Sequence, residues 1–588
     1  MAAFCFHVVS IALTLTGAAA SKHSNVAYKV NAEAKVATMV RERRSRSSSS
    51  YARSFEGWLP VVASEAEQGK LPHQDIDREF RDQFAEVIGV DDMQMFEKDL
   101  QSIMHELSDT FASLSKNEYG DVGHTAVRYS LHRLFVARHG WYIRGLDPEG
   151  KSFSSSSPAE VLQGQVPDDV QRVIEKLLNG RGFGLYETAV LAAVLENLIH
   201  KEAIFKAATV FSTFGMTIED FHPSEKIDFA IDHYMASYIM GRDVVEMTRR
   251  DAERQMSYMN KGYPGWKNTQ EWTRSIRRSY GHGDFSFNDT VAVLVEIGET
   301  YGKWQQKECV GLKKLLMGLE DEKNGCVPVS HFYKRMVEEG KWEFSESPDY
   351  LKDLGALDDS DPNDLKVMIP NYLDSASNCV ASSSYYSVCC VNECEDILGR
   401  IEHYVQGPDA SPEELASFVS TIASSTVAPK RELSASLVKH LNHIADLHGG
   451  RVPIHSRLFA QWMHNAYPHE CPYPHMAGTT KPMTPDMWLE ETGVTSKLPI
   501  DEMKIYIAEG EKEKDSFSHR HAQCGKWLDA EELYVPWTLH KNVEVTGTSF
   551  FSGRFGSTTI LACGGVLSTM LFVIVHVYRN FGAASYLE

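Results

Sequence analysis

The chain has 588 residues, 43% of them hydrophobic and 24% charged, with a formal net charge of −21. That length and ordinary composition fit two or three globular cores rather than a fibrous or wholly disordered chain. So acidic a molecule argues against nucleic acid as a partner.

Residues 1–20 read as a signal peptide. Ala2 to Leu15 is a short apolar run, and Gly17 to Ala20 supply small residues for cleavage before Ser21, although the usual basic start is missing. Residues 21–54 form a basic Ser/Arg-rich leader with eight Lys or Arg against two acids. Its composition fits a disordered segment, and also a transit peptide lying behind a signal.

From there the chain reads as helix after helix, which predicts an all-α, multi-helix body. Residues 55–262 make a first helical domain. Leu100, Ile103 and Leu107 fall at helical steps, and Leu185 to Gly215 is the longest helical pattern. His124, His132 and His139 share a helix face but have no matching second ligand set, so they read as packed or surface histidines. NGRGFG follows a helix rather than a strand and reads as a helix stop, not a phosphate loop. Glu196 with His200, and Asp228, Asp232 and His233, lack the Glu-x-x-His spacing of a di-metal bundle.

Residues 263–345 carry the best local motif. The windows Arg278 to Asp289 and Glu320 to His331 each have Gly at the sixth place and a hydrophobe at the eighth, Gly283 with Phe285 and Gly325 with Val327. That frame resembles an EF-hand pair in which the two loops join through their eighth residues. The first window has Arg278, Tyr280 and His282 where oxygen ligands belong, so it is a dead loop. The second keeps Glu320, Glu322 and Asn324 at its first, third and fifth places, but His331 stands where the bidentate acid should close the shell. Glu320, Glu322 and Asn324 are therefore candidates for weak calcium binding only. The single glycosylation sequon, at Asn288, overlaps the end of the first window.

Residues 346–553 form a Cys/His-rich helical domain and stalk. Eight cysteines lie between the signal and the C-terminal apolar segment: Cys309, Cys326, Cys379, Cys389, Cys390, Cys394, Cys471 and Cys524. An even number in a secreted context favours disulfides, with 105 possible connectivities. Cys309 and Cys326 should each pair elsewhere, because a helix holding Cys309 ends about 15 Å away from it. Read as one helix, Tyr385 to Val405 turns Cys390 and Cys394 toward the core. The alternative is zinc or copper held by His464, His469, Cys471 and His475, with Cys389, Cys390 or Cys394 completing the shell. No GxSxG, Walker A or CxxC occurs, so no motif names a reaction, and whether the chain is an enzyme stays open.

The phrases LHRLFVARHGWYIRGL, IPNYLDSASNCVASSSYYSVCCVNECEDILGRIE and VPIHSRLFAQWMHNAYPHECPYPH resemble a large family of uncharacterised secreted or membrane proteins of dinoflagellate algae, over roughly 123–480. The resemblance implies a shared ectodomain and an algal source. It brings no catalytic residues.

Residues 557–578 are a transmembrane candidate, since no Asp, Glu, Lys or Arg occurs between Arg554 and Arg579. Residues 579–588 would be a short tail. Gly564 to Ser568 has a small-xxx-small spacing that would allow a homodimer through this helix. The expectation is a single-pass membrane protein whose helical, disulfide-braced ectodomain binds or scaffolds other proteins without catalysis or a required cofactor. It would sit at the cell surface or in a secretory-pathway membrane, or alternatively in a plastid membrane. A metal-dependent enzyme or metal carrier using the Cys/His block, and a weak lumenal calcium responder, are the other readings.

Overall fold

Helix ends in this chain are set by glycines, prolines and hydroxyl caps, and the loop beyond each end decides the architecture. In a computed structural model, residues 93–146, 182–242, 244, 247–263, 265–340, 343–380, 383–514 and 524–534 are described. The signal, the basic leader, the apolar segment 557–578 and the tail lie outside them. Among the described residues no helix is long and apolar enough to cross a membrane.

The first region runs α1 (Met93–Ser113), α2 (His124–His139), β1 (Trp141–Ile143), α3 (Leu185–Thr213), α4 (Ser224–Met240), α5 (Arg249–Gly262), α6 (Trp266–Tyr280) and α7 (Phe287–Met317). Helix α2 stops at Gly140, which turns left-handed at φ 72°. Helices α5 and α7 start on the reciprocal capping pairs Thr248 with Asp251 and Ser286 with Asp289. The apolar positions of α1 to α4 and the first half of α7 merge in one core around Ile103, Phe135, Leu191, Met235 and Ile297.

The chain continues through β2 (Cys326–Pro328), α8 (Val329–Glu339), α9 (Pro348–Asp353), β3 (Leu357–Asp358), β4 (Lys366–Met368), α10 (Ile369–Asp374), β5 (Tyr386–Val388) and α11 (Glu393–Val405). It ends with β6 (Asp409–Ala410), α12 (Pro412–Thr421), α13 (Ala435–Leu447), β7 (Val452–Pro453), α14 (Arg457–Ala466), α15 (Pro485–Thr492) and α16 (Ile500–Lys514). A second core gathers Phe332, Tyr333, Tyr350, Val367, Tyr372 and Met503, and a third gathers Ile397, Ile401, Leu415, Ile444 and Trp462. Helix is thus the main element, with only short strands paired β1–β5, β2–β4–β3 and β6–β7.

One local rule repeats along the chain. Val122, Phe183, His222, Phe285, Val327, Glu346, Val367 and Ala410 each stand directly before the N-cap residue of a helix. Each also pairs antiparallel with a residue of another loop: Val122 with Phe183, His222 with Phe285, Val327 with Val367, Ala410 with Val452, and Glu346 with Lys497. Two residues before Val122, Val327 and Val452, the glycines Gly120, Gly325 and Gly450 take φ of 82°, 84° and 93°. A left-handed glycine, a bridging residue and a helix start are the EF-hand frame. All three features coincide at Gly120–Val122–Gly123 and at Gly325–Val327–Pro328.

The pairing differs from expectation. Loops 278–289 and 320–331 do not join each other, because Phe285 bridges His222 and Val327 pairs with Val367. The reason is length: both loops flank α7, whose 31 residues hold them about 45 Å apart at 1.5 Å per residue. Nor is Tyr385 to Val405 one helix. Tyr386–Val388 pairs with Trp141–Ile143, and α11 starts only at Glu393, where Asn392 caps the Cys394 N–H.

Candidate functional site

The loop after α7 and the segment after α14, two separate candidates in the sequence, meet in space. Glu320 leaves the end of α7 and turns its carboxylate inward, accepting the Gly325 N–H at 2.6 Å. Both carboxylate oxygens also face His469 Nε2, at 2.9 and 3.0 Å. The two side chains are 3% and 6% exposed, so this contact is dry. Asn324 accepts the Cys326 N–H at 3.1 Å, and Glu322 lies half-buried on the turn between them. His331, at the closing place, puts Nδ1 2.9 Å from the Leu319 carbonyl. Gly325 is required twice: its φ is left-handed, and a Cβ there would come within 2.1 Å of the Pro468 carbonyl oxygen.

Next to His469, Glu470 is fully buried. Lys313 Nζ approaches it at 3.3 Å and also bonds Glu393 and Ser425, each at 2.8 Å. The Thr426 hydroxyl donates to Glu470 at 2.8 Å. Burial pushes the Glu470 carboxyl up, but the Lys313 charge and the hydroxyl donors outweigh it and hold it below the usual carboxylate range. A cavity of about 10 Å³ between Cys309, Cys390, Glu393, His469 and Glu470 has room for one water. Another of the same volume lies among Trp141, Glu202, Lys206, Tyr234 and Tyr386.

All eight cysteines are paired, as Cys309–Cys390, Cys326–Cys524, Cys379–Cys389 and Cys394–Cys471. Cys309 and Cys326 do pair elsewhere, each tying its block to a later one. The structure does not bring His464, His469, Cys471 and His475 together as one shell. Cys471 is bonded to Cys394, His469 faces Glu320, and His475 Nε2 lies 2.8 Å from the Gly355 carbonyl. His464, 1% exposed, sits with Nδ1 and Nε2 against the carbonyls of Cys471 and Cys524. Burial pulls the pKa of both His464 and His475 down. At Asn288 the side chain is exposed in the first turn of α7, whereas the sequon's Thr290 is buried and donates to the Ser286 carbonyl.

Basic side chains recur at the paired loops. Lys116 Nζ donates to the carbonyls of Ala112 and Leu114, and Arg277 to that of Gly281. Arg451 grips both the carboxylate and the carbonyl of Asp409. In the acidic stretch 358–364, which lies in the loop paired with 320–331, Lys352 and Lys366 sit 2.6 Å from Asp359 and Asp364. Asp358 and Asp361 each accept a backbone N–H two residues on. These contacts hold the loops through the chain's own side chains and backbone amides.

Sequence reading missed a second buried centre. Glu402, 0% exposed, accepts from Thr110 at 3.0 Å, from His455 at 2.8 Å and from Arg133, which also pairs with Glu395. Burial pushes the Glu402 carboxyl up, yet Arg133 and the His455 hydrogen bond outweigh it and hold it low. The only signal was an acid beside Ile401 on an apolar helix face. Its partners stand far away on α1, α2 and the turn before α14. Likewise Asp228 and Asp232 are paired with Arg277 and Arg274 at 3.0 and 2.8 Å.

Comparison of the chain with protein-family models, with curated proteins and with solved structures finds no match to any of them.

Proposed function

We propose that this chain is a non-enzymatic binding or scaffolding protein whose folded part is an EF-hand-like helical array that needs no bound ion. The observation that carries this reading is the consumption of the candidate ligands by the protein itself: Glu320 by His469 and Gly325, Asn324 by Cys326, and the eight thiols by one another. The two cavities described above are each the size of one water, smaller than an organic substrate needs. The same reading places the array in an oxidising compartment, where four disulfides persist. Attachment to a membrane through residues 557–578, with the body on the lumenal or extracellular side, belongs to this proposal.

The test is elemental analysis of the purified chain, followed by thermal unfolding and partner capture with and without EDTA. A metal-free chain with unchanged unfolding, and a stoichiometric protein partner retained under EDTA, is the expected result. Stoichiometric zinc or copper, lost together with activity on substituting His464, His469 or His475, would instead establish the metal-enzyme reading.

A further inference from the structure

We propose that Cys326, Cys524 and Asp358 form a two-state site: a disulfide when oxidised, and a binding site for a thiophilic divalent cation such as zinc when reduced. The three come from separate parts of the chain. Cys326 begins β2, Asp358 ends β3 on the far side of β4, and Cys524 begins the segment 524–534. The two Sγ atoms and a carboxylate oxygen all lie within 4.8 Å of one another. Among the described residues no other trio of His, Cys, Asp or Glu donors is grouped so closely.

Both cysteines are 2% exposed, under Met368 and Tyr473. Asp358 accepts the Gly525 N–H at 2.9 Å and the Ser360 N–H at 3.1 Å. These bonds aim the carboxylate at the disulfide. No Lys, Arg or His among the described residues forms an ion pair with it, in contrast to its neighbours Asp359 and Asp364.

In the oxidised chain the sulfurs carry no charge for a cation. A small-molecule thiol or phosphine delivers two electrons to the S–S bond. With a thiol, two reductant molecules become one disulfide and two protons end on Cys326 and Cys524. Capture of a divalent cation then releases those two protons and forms two metal–thiolate bonds, with Asp358 as a third ligand and water at the fourth place. Zinc with two sulfurs at about 2.3 Å holds them about 3.8 Å apart, and the Cα atoms of Cys326 and Cys524 already stand 5.7 Å apart. Two buried thiolates beside a carboxylate are strongly unfavourable without a cation, so the reduced site selects one. Sulfur ligands favour zinc over calcium or magnesium.

Cobalt(II) reads the site directly, because thiolate ligation gives a near-ultraviolet charge-transfer band. The full chain is titrated with Co²⁺ before and after reduction by a phosphine, with the metal present during reduction. The oxidised chain should show no band, and the reduced chain one Co²⁺ with two thiolates. Asp358→Asn, which keeps both cysteines, should weaken binding at least tenfold. Cys326→Ser should halve or abolish the band, and the Cys379→Ser/Cys389→Ser double variant should leave it intact. No band after reduction, a band indifferent to Asp358→Asn, or one lost in the Cys379/Cys389 variant would overturn the proposal.

Discussion

From residue 93 to about 301 the protein is held without a single cysteine, whereas every described cysteine lies between Cys309 and Cys524. The difference follows helix length. The first region has helices of 14 to 31 residues, and α3 alone buries Val190, Leu191, Ala192, Val194 and Leu195 in a continuous core. The helices α8 to α16 have only 6 to 15 residues and divide their apolar side chains between two smaller cores. Short helices bury too little area to offset their ordering, so covalent staples supply what burial does not. Cys394–Cys471 closes the third core across 77 residues, and Cys309–Cys390 ties it to α7 across 81.

The sharpest way to break this contrast is at the seam. Arg133 belongs to the first region and Glu402 to the second, and both are buried. Arg133→Met strands the Glu402 charge and should cost about 3–5 kcal/mol by urea unfolding. Because the Glu402 carboxyl is held low in the fold, its contribution is fully present above the unfolded carboxylate pKa and is lost as pH falls through the folded value. Wild-type chain should therefore lose stability below about pH 4, and Glu402→Gln should flatten that limb.

Within the second region, Cys394→Ser with Cys471→Ser should cost about 2–5 kcal/mol. Hydrogen exchange should lose protection in α11 to α14 while α2 to α4 keep theirs. Equal loss in both regions would dissolve the comparison.

The first region has its own acid weakness. Burial pushes His233 down to about 4, while an unfolded histidine titrates near 6.5. The unfolded chain therefore binds a proton that the fold refuses, and up to about 3 kcal/mol of stability disappears from pH 6.5 to 4. His233→Phe should remove that slope from the melting temperature plotted against pH. A smaller effect is expected at the loop: His469→Ala should cost about 1–3 kcal/mol by leaving the buried Glu320 carboxylate with the Gly325 N–H but without its imidazole partner. His469→Gln, which keeps a donor, should cost less than half of that in the same unfolding assay.

Much of this architecture was legible in the chain. The periodicity of Leu185 to Gly215 gave α3 within two residues, and the Gly-x-hydrophobe frame found two of the repeating loops. The partners of those loops were not legible, since a bridge is two backbone contacts and leaves no side-chain pattern. That is why Val122, His222 and Val367 carry no signal of their own. The acids and amide at the first, third and fifth places of loop 320–331 were visible, but nothing local reveals that His469, 149 residues later, fills the space beside Glu320. Tyr385 to Val405 misled because alternation in a three-residue strand mimics one turn of a helical stripe.

The central claim is that these loops are held by the chain's own side chains and backbone amides and need no ion. Calorimetric titration of the oxidised chain with calcium, alongside melting in calcium and in EDTA, tests it most directly. The expected result is no saturable heat below millimolar calcium and melting temperatures that agree within about 1 °C. A stoichiometric micromolar site, which at a hundredfold excess over Kd would add about 2.7 kcal/mol and raise the melting temperature, would contradict it.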